Sequence, residues 1–339
     1  MFVGAIIVLG ETASTELDIA ADPVRLLASE WLAGGPIASV DVIGQSALHH
    51  TIQRLQRTGI EPVAFATKDN ASHLAVAPGR WPRHLIAVPH SADVWSSVQH
   101  TFDQYANSGV ETVVFLRLGA YIEFDLNDVV QFHRAKGQPV TRIKDQQGPL
   151  DLWILDSARC RKAGTRFSRV AGVECAARTA HYDHPSYVNR LSSAGSLRQF
   201  VIDTFLARCS IRLPGRETRP GIWIDPSARV DRQARLVAPA YIGAEAKIGA
   251  SALITRFSNV ERGCEIDYGT VVEDSSVLAD TYLGTWLELS HAVVCGTNLT
   301  HLHHKTTTEI EDPRLVGAIA RGSRRRAISE IWSPRRCKS

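Results

Sequence analysis

From Ile224 to Tyr282 an aliphatic residue recurs at every sixth position: Ile224, Val230, Leu236, Ile242, Ile248, Ile254, Val260, Ile266, Val272 and Leu278. Four residues after each stands a mostly small side chain, at Ala228, Ala234, Ala240, Ala246, Ala252, Ser258, Cys264, Thr270 and Ser276, with Tyr282 last. A period of six held this long predicts a parallel β-helix built from hexapeptides. The residues before it have another texture, in which apolar runs alternate with helical stripes. Residues 2–10 read as a buried strand ending in glycine. Ser46 opens a helical run over 47–58, with Leu48, Ile52 and Leu55 on one face and Gly59 as its stop. A strand is expected at 62–66, a helix at 94–108, a strand at 110–118, and a helix at 126–136 stopped by Gly137. This alternation predicts an α/β domain with a doubly wound, Rossmann-like parallel sheet. Sheets of that kind take nucleotides at the carboxyl ends of their strands. The expected organisation is therefore an α/β domain over 1–215, a hexapeptide coil over 221–317 and a basic tail over 318–339.

Composition adds limits. The chain has 339 residues, 44% apolar and 22% charged, enough for two cores. No apolar run reaches the roughly 18 residues that span a bilayer. The first residues, MFVGAIIVLGE, lack a basic leader and a cleavage site, and read as a strand rather than a signal peptide. The six cysteines form no CxxC pair, which fits reduced cytoplasmic thiols better than disulfides or zinc. A net charge of +3 is too small to argue for a specific nucleic-acid partner. In the tail, Arg321, Arg324, Arg325, Arg326, Arg335, Arg336 and Lys338 face Glu330 alone. Such a run reads as a solvated terminus, or as a contact for an anionic surface or an acidic partner.

An α/β domain followed by a hexapeptide coil resembles the sugar-nucleotide pyrophosphorylases, above all the mannose-1-phosphate guanylyltransferase-like branch. Residues 4–10 stand where that family has its first strand and glycine-rich loop. Residues 47–60 (ALHHTIQRLQRTGI) resemble the helix after its sugar-nucleotide loop, and 113–137 its central strand, metal loop and next helix. Residues 187–206 resemble its segment before the coil, and 283–284 through 312–317 the end of related chains. The resemblance implies a nucleotide-diphospho-sugar transferase-type sheet and a left-handed parallel β-helix. It also implies transfer of a nucleotide onto a sugar 1-phosphate with release of pyrophosphate, aided by magnesium. Partners would be a nucleotide or sugar nucleotide, in a homo-oligomer or a hetero-oligomer with an active pyrophosphorylase.

The chain departs from that family where phosphate and metal are held. Its first loop reads Leu9-Gly10-Glu11-Thr12-Ala13-Ser14, with no closing arginine and with a carboxylate facing the phosphate position. Gly35 stands at the place of the family's phosphate-binding lysine. Ala120 stands for the first metal-binding aspartate and Arg190 for the second. A methyl group and a guanidinium cannot ligate magnesium, which takes hard oxygen ligands. Leu9, Gly10, Glu11, Gly119 and Tyr121 remain as nucleotide-binding candidates at strand ends. Glu123 and Asp125 are either displaced metal ligands or, with Asp128, an ordinary acidic helix start. The expectation is a pseudoenzyme of sugar-nucleotide and polysaccharide metabolism that binds a sugar nucleotide and acts as a regulatory or scaffolding subunit. One alternative is an active, magnesium-dependent sugar-1-phosphate nucleotidyltransferase. Another is a hexapeptide-repeat acyltransferase with His291, the first histidine after the coil, as general base. Strand alternation would set His301 and His303 on one face, as a polar connection or a metal pair. Trp286 and Leu287 are candidates for a cap or an interface.

Overall fold

The computed structural model describes residues 2–9, 40–60, 62–67, 85–87, 94–168 and 171–319. It is a mixed α/β protein of two compact units. Unit 1 comprises Met1–Val40, Gln45–Asp203 and Ala207–Ser210, and unit 2 comprises Asp41–Gly44, Thr204–Leu206 and Ile211–Ser339.

Unit 1 is built on a seven-stranded sheet. Its strands are β1 (Val3–Leu9), β2 (Val63–Thr67), β3 (Leu85–Ala87), β4 (Thr112–Leu118), β5 (Val140–Asp145), β6 (Gly148–Asp156) and β7 (Thr179–Asp183). Their order is β7-β5-β6-β4-β1-β2-β3. The helices α1 (Ala47–Arg57), α2 (Val94–Asn107), α3 (Leu126–Lys136) and α4 (Ser157–Lys162) lie between them in sequence. Helix α1 begins as expected, because the Ser46 hydroxyl accepts the His49 N–H at 3.2 Å. Helix α3 is capped by Asp125 and closed by Gly137 in the left-handed region, φ 61°. Strand β4 starts at Thr112, two residues later than expected, and all of it is buried.

The expectation of an all-parallel sheet needs correction at one strand. β1, β2, β3 and β4 run parallel, and β7 runs parallel to β5, but β6 is antiparallel to both neighbours. The cause is a tight hairpin. Asp145 Oδ1 accepts the Gln147 N–H at 2.8 Å, and Gly148 takes φ 126°. Two residues cannot carry a crossover, so the chain turns straight back.

Unit 2 contains three sheets of short strands visited in turn, the topology of a β-helix-like coil. Ile222–Ile224, Ala240–Ile242, Ser258–Val260, Ser276–Val277 and Ala292–Cys295 stack in one of them, in parallel. The inward aliphatics of all three sheets form one core with Ala240, Ala246, Ala252 and Cys264. The hexads run unbroken only as far as Val272. Eighteen residues separate Ile242 from its partner Val260, but seventeen separate Val260 from Val277. Val277 therefore takes the inward place expected of Leu278. Thr281, fully buried, takes the small-residue place expected of Tyr282. The corner explains the lost residue. One turn earlier it holds two residues with positive φ, Arg256 and Phe257, and at this turn only Asp274. Past the last turn, Asn298–His301 and Thr306–Glu309 extend one sheet with antiparallel strands, and Val316–Ala318 pairs antiparallel with Thr281–Leu283. No helix of the described residues is long and apolar enough to cross a membrane.

Candidate functional site

The carboxyl edge of the unit 1 sheet gathers the ends of β1, β4, β5 and β7 with the start of β6. Gly119 and Ala120 follow β4 directly, both part-exposed. Tyr121–Ile122 then pairs antiparallel with Val188–Asn189, which brings Arg190 to this edge. Arg190 does not reach into open space. Its Nη2 donates to Asp145 Oδ1 at 2.5 Å and to the Gly148 carbonyl at 3.3 Å, and its Nη1 to the Pro149 carbonyl at 3.2 Å. The guanidinium thus closes the β5–β6 hairpin, and its charge is already answered by a carboxylate.

Three of the candidate residues at this edge are engaged in internal contacts. Tyr121 is 2% exposed and its ring packs on Phe200 and Tyr187. Burial pushes its phenol up to about 12, so it stays a neutral donor. That donor is used internally, to Glu123 Oε1 at 2.8 Å. The same Glu123 oxygen accepts the Ser210 N–H at 2.5 Å and its hydroxyl at 2.7 Å, with the Arg54 guanidinium at 3.8 Å. Glu123 is therefore committed to holding the 207–210 segment. Asp125 is committed as the cap of α3, accepting the Asn127 N–H at 2.9 Å, and Asp128 accepts the Tyr182 hydroxyl. Each of these carboxylates gives one oxygen to a local donor, which competes with the hard-oxygen set that magnesium takes. Among the described residues, no three His, Cys, Asp or Glu side chains form a metal-holding group. Leu9 ends β1, while Gly10, Glu11, Gly35 and the basic residues of the tail lie outside the described residues; of the tail expected from 318, Ala318 belongs to the last strand.

Two residues of this edge were not foreseen. Asp145 was hidden because its meaning depends on Arg190, 45 residues away. The D-x-x-G spacing from Asp145 to Gly148 is a turn signal and was the available clue. His184 follows β7 and is 8% exposed, its N–H donating to the Lys144 carbonyl at 2.7 Å. Burial lowers its pKa, with the Asp145 carboxylate opposing. A groove of about 690 Å³ lies elsewhere on unit 1, lined by Trp95, Gln99, Asp103, Arg161 and their neighbours, and contains none of the candidate residues.

On the coil, His291 sits at an outer corner with φ 50°, exposed, its Nδ1 2.6 Å from Asp274 Oδ2. Asp274 occupies the same corner one turn before. The expected alternation of His301 and His303 does not hold, because the strand ends at His301 and His303 lies in the turn that follows. His304 is the nearer neighbour, its ring centroid 4.6 Å from that of His301. Trp286 is 71% exposed and meets the Tyr268 ring edge-on at 5.2 Å. The chain matches no family model and no curated protein.

Proposed function

We propose that this chain is a nucleotidyltransferase-like protein of sugar-nucleotide metabolism in which metal-assisted transfer has been given up. Its α/β unit would bind a sugar nucleotide at the carboxyl edge. Its coil, read as a left-handed β-helix of the pyrophosphorylase type, would associate with a further copy or with an active pyrophosphorylase. The observation that carries the reading is the Arg190–Asp145 ion pair at 2.5 Å. It stands where the resemblance expects a carboxylate free to hold magnesium, and Ala120 removes the other. Nucleotidyl transfer needs the charge on the triphosphate oxygens neutralised while the bond to the leaving pyrophosphate breaks. A guanidinium already paired with a carboxylate supplies little of that. Binding asks less, since strand-end backbone and a single unpaired cation suffice to hold a ligand phosphate. The test pairs two assays on the full chain. Pyrophosphate release is followed with GTP or UTP and mannose or glucose 1-phosphate in magnesium, and melting is followed with GDP-mannose or UDP-glucose in EDTA. Stabilisation without turnover supports the reading; turnover overturns it.

The acyltransferase alternative keeps one favourable observation. A carboxylate on Nδ1 fixes the tautomer of His291 so that Nε2 is an acceptor, as a general base requires. The test is turnover of acetyl-CoA with a sugar hydroxyl or amine acceptor: loss in His291→Ala and a marked fall in Asp274→Asn would promote it.

A further inference from the structure

We propose that Arg142, which lies over the Trp153 ring in unit 1, is the cation that receives a ligand's phosphate group. Trp153 on β6 lies directly across from Arg142 on β5 and from Phe115 on β4. Arg117, two residues beyond Phe115, shares that face. Both guanidinium carbons lie 5.4 Å from the centroid of the Trp153 ring. Asp151 lies near both cations, and it pairs with Arg117: its Oδ1 is 2.6 Å from Arg117 Nη2. The Arg142 side chain forms no hydrogen bond or ion pair among the described residues, and its Nε is buried without a partner. Lys144, further along β5, is already paired with Asp183 at 3.0 Å.

The energetics make this arrangement unusual. A half-buried guanidinium has lost part of its hydration, and among the described residues its charge is answered by the indole face and, without an ion pair, by the nearby Asp151. Burial lowers the pKa of Arg142, with the nearby Arg117 adding to the effect and Asp151 opposing it. Trp153 is 1% exposed, and Gly172 lies so close above its ring that any side chain there would collide with it. A planar fork of N–H donors that lies over an indole and has no carboxylate partner of its own among the described residues is a recognition element for a phosphate group. Arg142 is mid-strand on β5, while Arg117 on the same ring is the penultimate residue of β4, so the pair leads toward the strand ends where a doubly wound sheet takes nucleotides. Naming the ligand as the phosphate of a sugar nucleotide rests on the function proposed above; the demand for an anion does not.

The test is calorimetric titration of the full chain in EDTA with inorganic pyrophosphate and with GDP-mannose, for the wild type, Arg142→Gln and Arg142→Lys. Both ligands are expected to bind the wild type, and Arg142→Gln to weaken both by about 10–100-fold, the worth of a charge-assisted hydrogen bond. Arg142→Lys, which keeps the charge without the fork, should fall between, and it carries the test if the glutamine variant misfolds. Unchanged affinity for both ligands in both variants overturns the inference and leaves the nucleotide reading standing. Pyrophosphate binding that depends on Arg142, with no binding of GDP-mannose or UDP-glucose, overturns that reading and leaves the anion site. No binding of any ligand to the wild type removes both.

Discussion

Glu261 Oε1 accepts the backbone N–H of Ile43 at 2.6 Å, and its second oxygen accepts that of Gly44 at 2.8 Å. Asn259 Nδ2 donates to it as well, at 2.7 Å, and the side chain is fully buried. One carboxylate inside unit 2 thus ties residues 41–44 to the coil. Both backbone donors come from residues in the left-handed region, and a Cβ on Gly44 would meet the Tyr241 hydroxyl at 2.8 Å. Arg262 flanks the contact, its Nη2 3.6 Å from Asp41 and 3.5 Å from Asp280.

A pH dependence follows from this carboxylate. Burial raises the Glu261 pKa from 4.5 to about 7, against the opposing pull of its three donors. The folded chain then holds a proton that the unfolded chain has released, so the associated stability is complete below pH 4.5 and is lost as pH rises through 7. The span corresponds to ~3 kcal/mol at most. Hydrogen exchange at the Ile43 and Gly44 amides should show weaker protection at pH 8 than at pH 5, beyond the intrinsic rate change. In Glu261→Gln that dependence should vanish.

The acid side belongs to His133 in unit 1. It is 2% exposed, its Nδ1 2.7 Å from the Thr141 hydroxyl, and burial lowers its pKa to about 4. Here the unfolded chain binds the proton first. The stability is present above pH 6.5 and is lost as pH falls toward 4. Exchange of the α3 amides should therefore accelerate, relative to intrinsic rates, between pH 6.5 and 4.5. His133→Leu should flatten that response at some cost to stability, since Thr141 then loses its partner.

Much of this was legible because local physics decided it. Ser46, Gly59, Asp125 and Gly137 bound their helices by caps and left-handed stops that need no distant partner. The coil showed itself because each turn must bury the same kind of side chain at the same place. The hidden part was whatever depended on one missing residue or on a distant partner. Leu278 kept the period of six and is 1% exposed, yet Val277 supplies the coil core. An aliphatic at either position satisfies the pattern, and only the single left-handed residue at Asp274 decides between them. At the candidate site, Ala120 and Arg190 could be read as losses, but the sequence does not give Arg190 its partner. Tyr121 and Glu123 looked available because polar residues at a strand end usually face solvent. In this chain they satisfy each other and Ser210.

The outer corner at Trp286 offers a packing test. Gly269 takes φ 70°, and a Cβ there would come within 2.8 Å of the Trp286 ring. Trp286 itself sits at φ 56°, a costly region for a bulky residue. Gly269→Ala should cost ~2 kcal/mol, from the left-handed backbone and the clash together. Placing the same change in a Trp286→Ala background should cost less, because only the backbone part remains. Thermal melts of the four proteins give the difference directly; equal costs in both backgrounds would mean the ring moves aside freely.

The last prediction reverses the charge argument. If the edge of unit 1 lost its metal because Ala120 and Arg190 replaced carboxylates, the double change Ala120→Asp and Arg190→Asp should restore a demand for a divalent ion. Without the Arg190 guanidinium, Asp145 loses its partner at 2.5 Å and adds a third negative group to the edge. Three carboxylates crowded together repel, so the variant should melt below the wild type in EDTA. Magnesium bound to the folded state alone would then stabilise it in proportion to the logarithm of its concentration. The expected result is a melting temperature that rises with millimolar magnesium in the double variant and stays flat in the wild type. Arg190→Asp alone should respond weakly, since one or two carboxylates with poor geometry hold magnesium poorly. A wild-type melt that rises with magnesium as steeply as the variant's would mean that other oxygens already hold the ion, and the charge argument built on Arg190 would have to be abandoned.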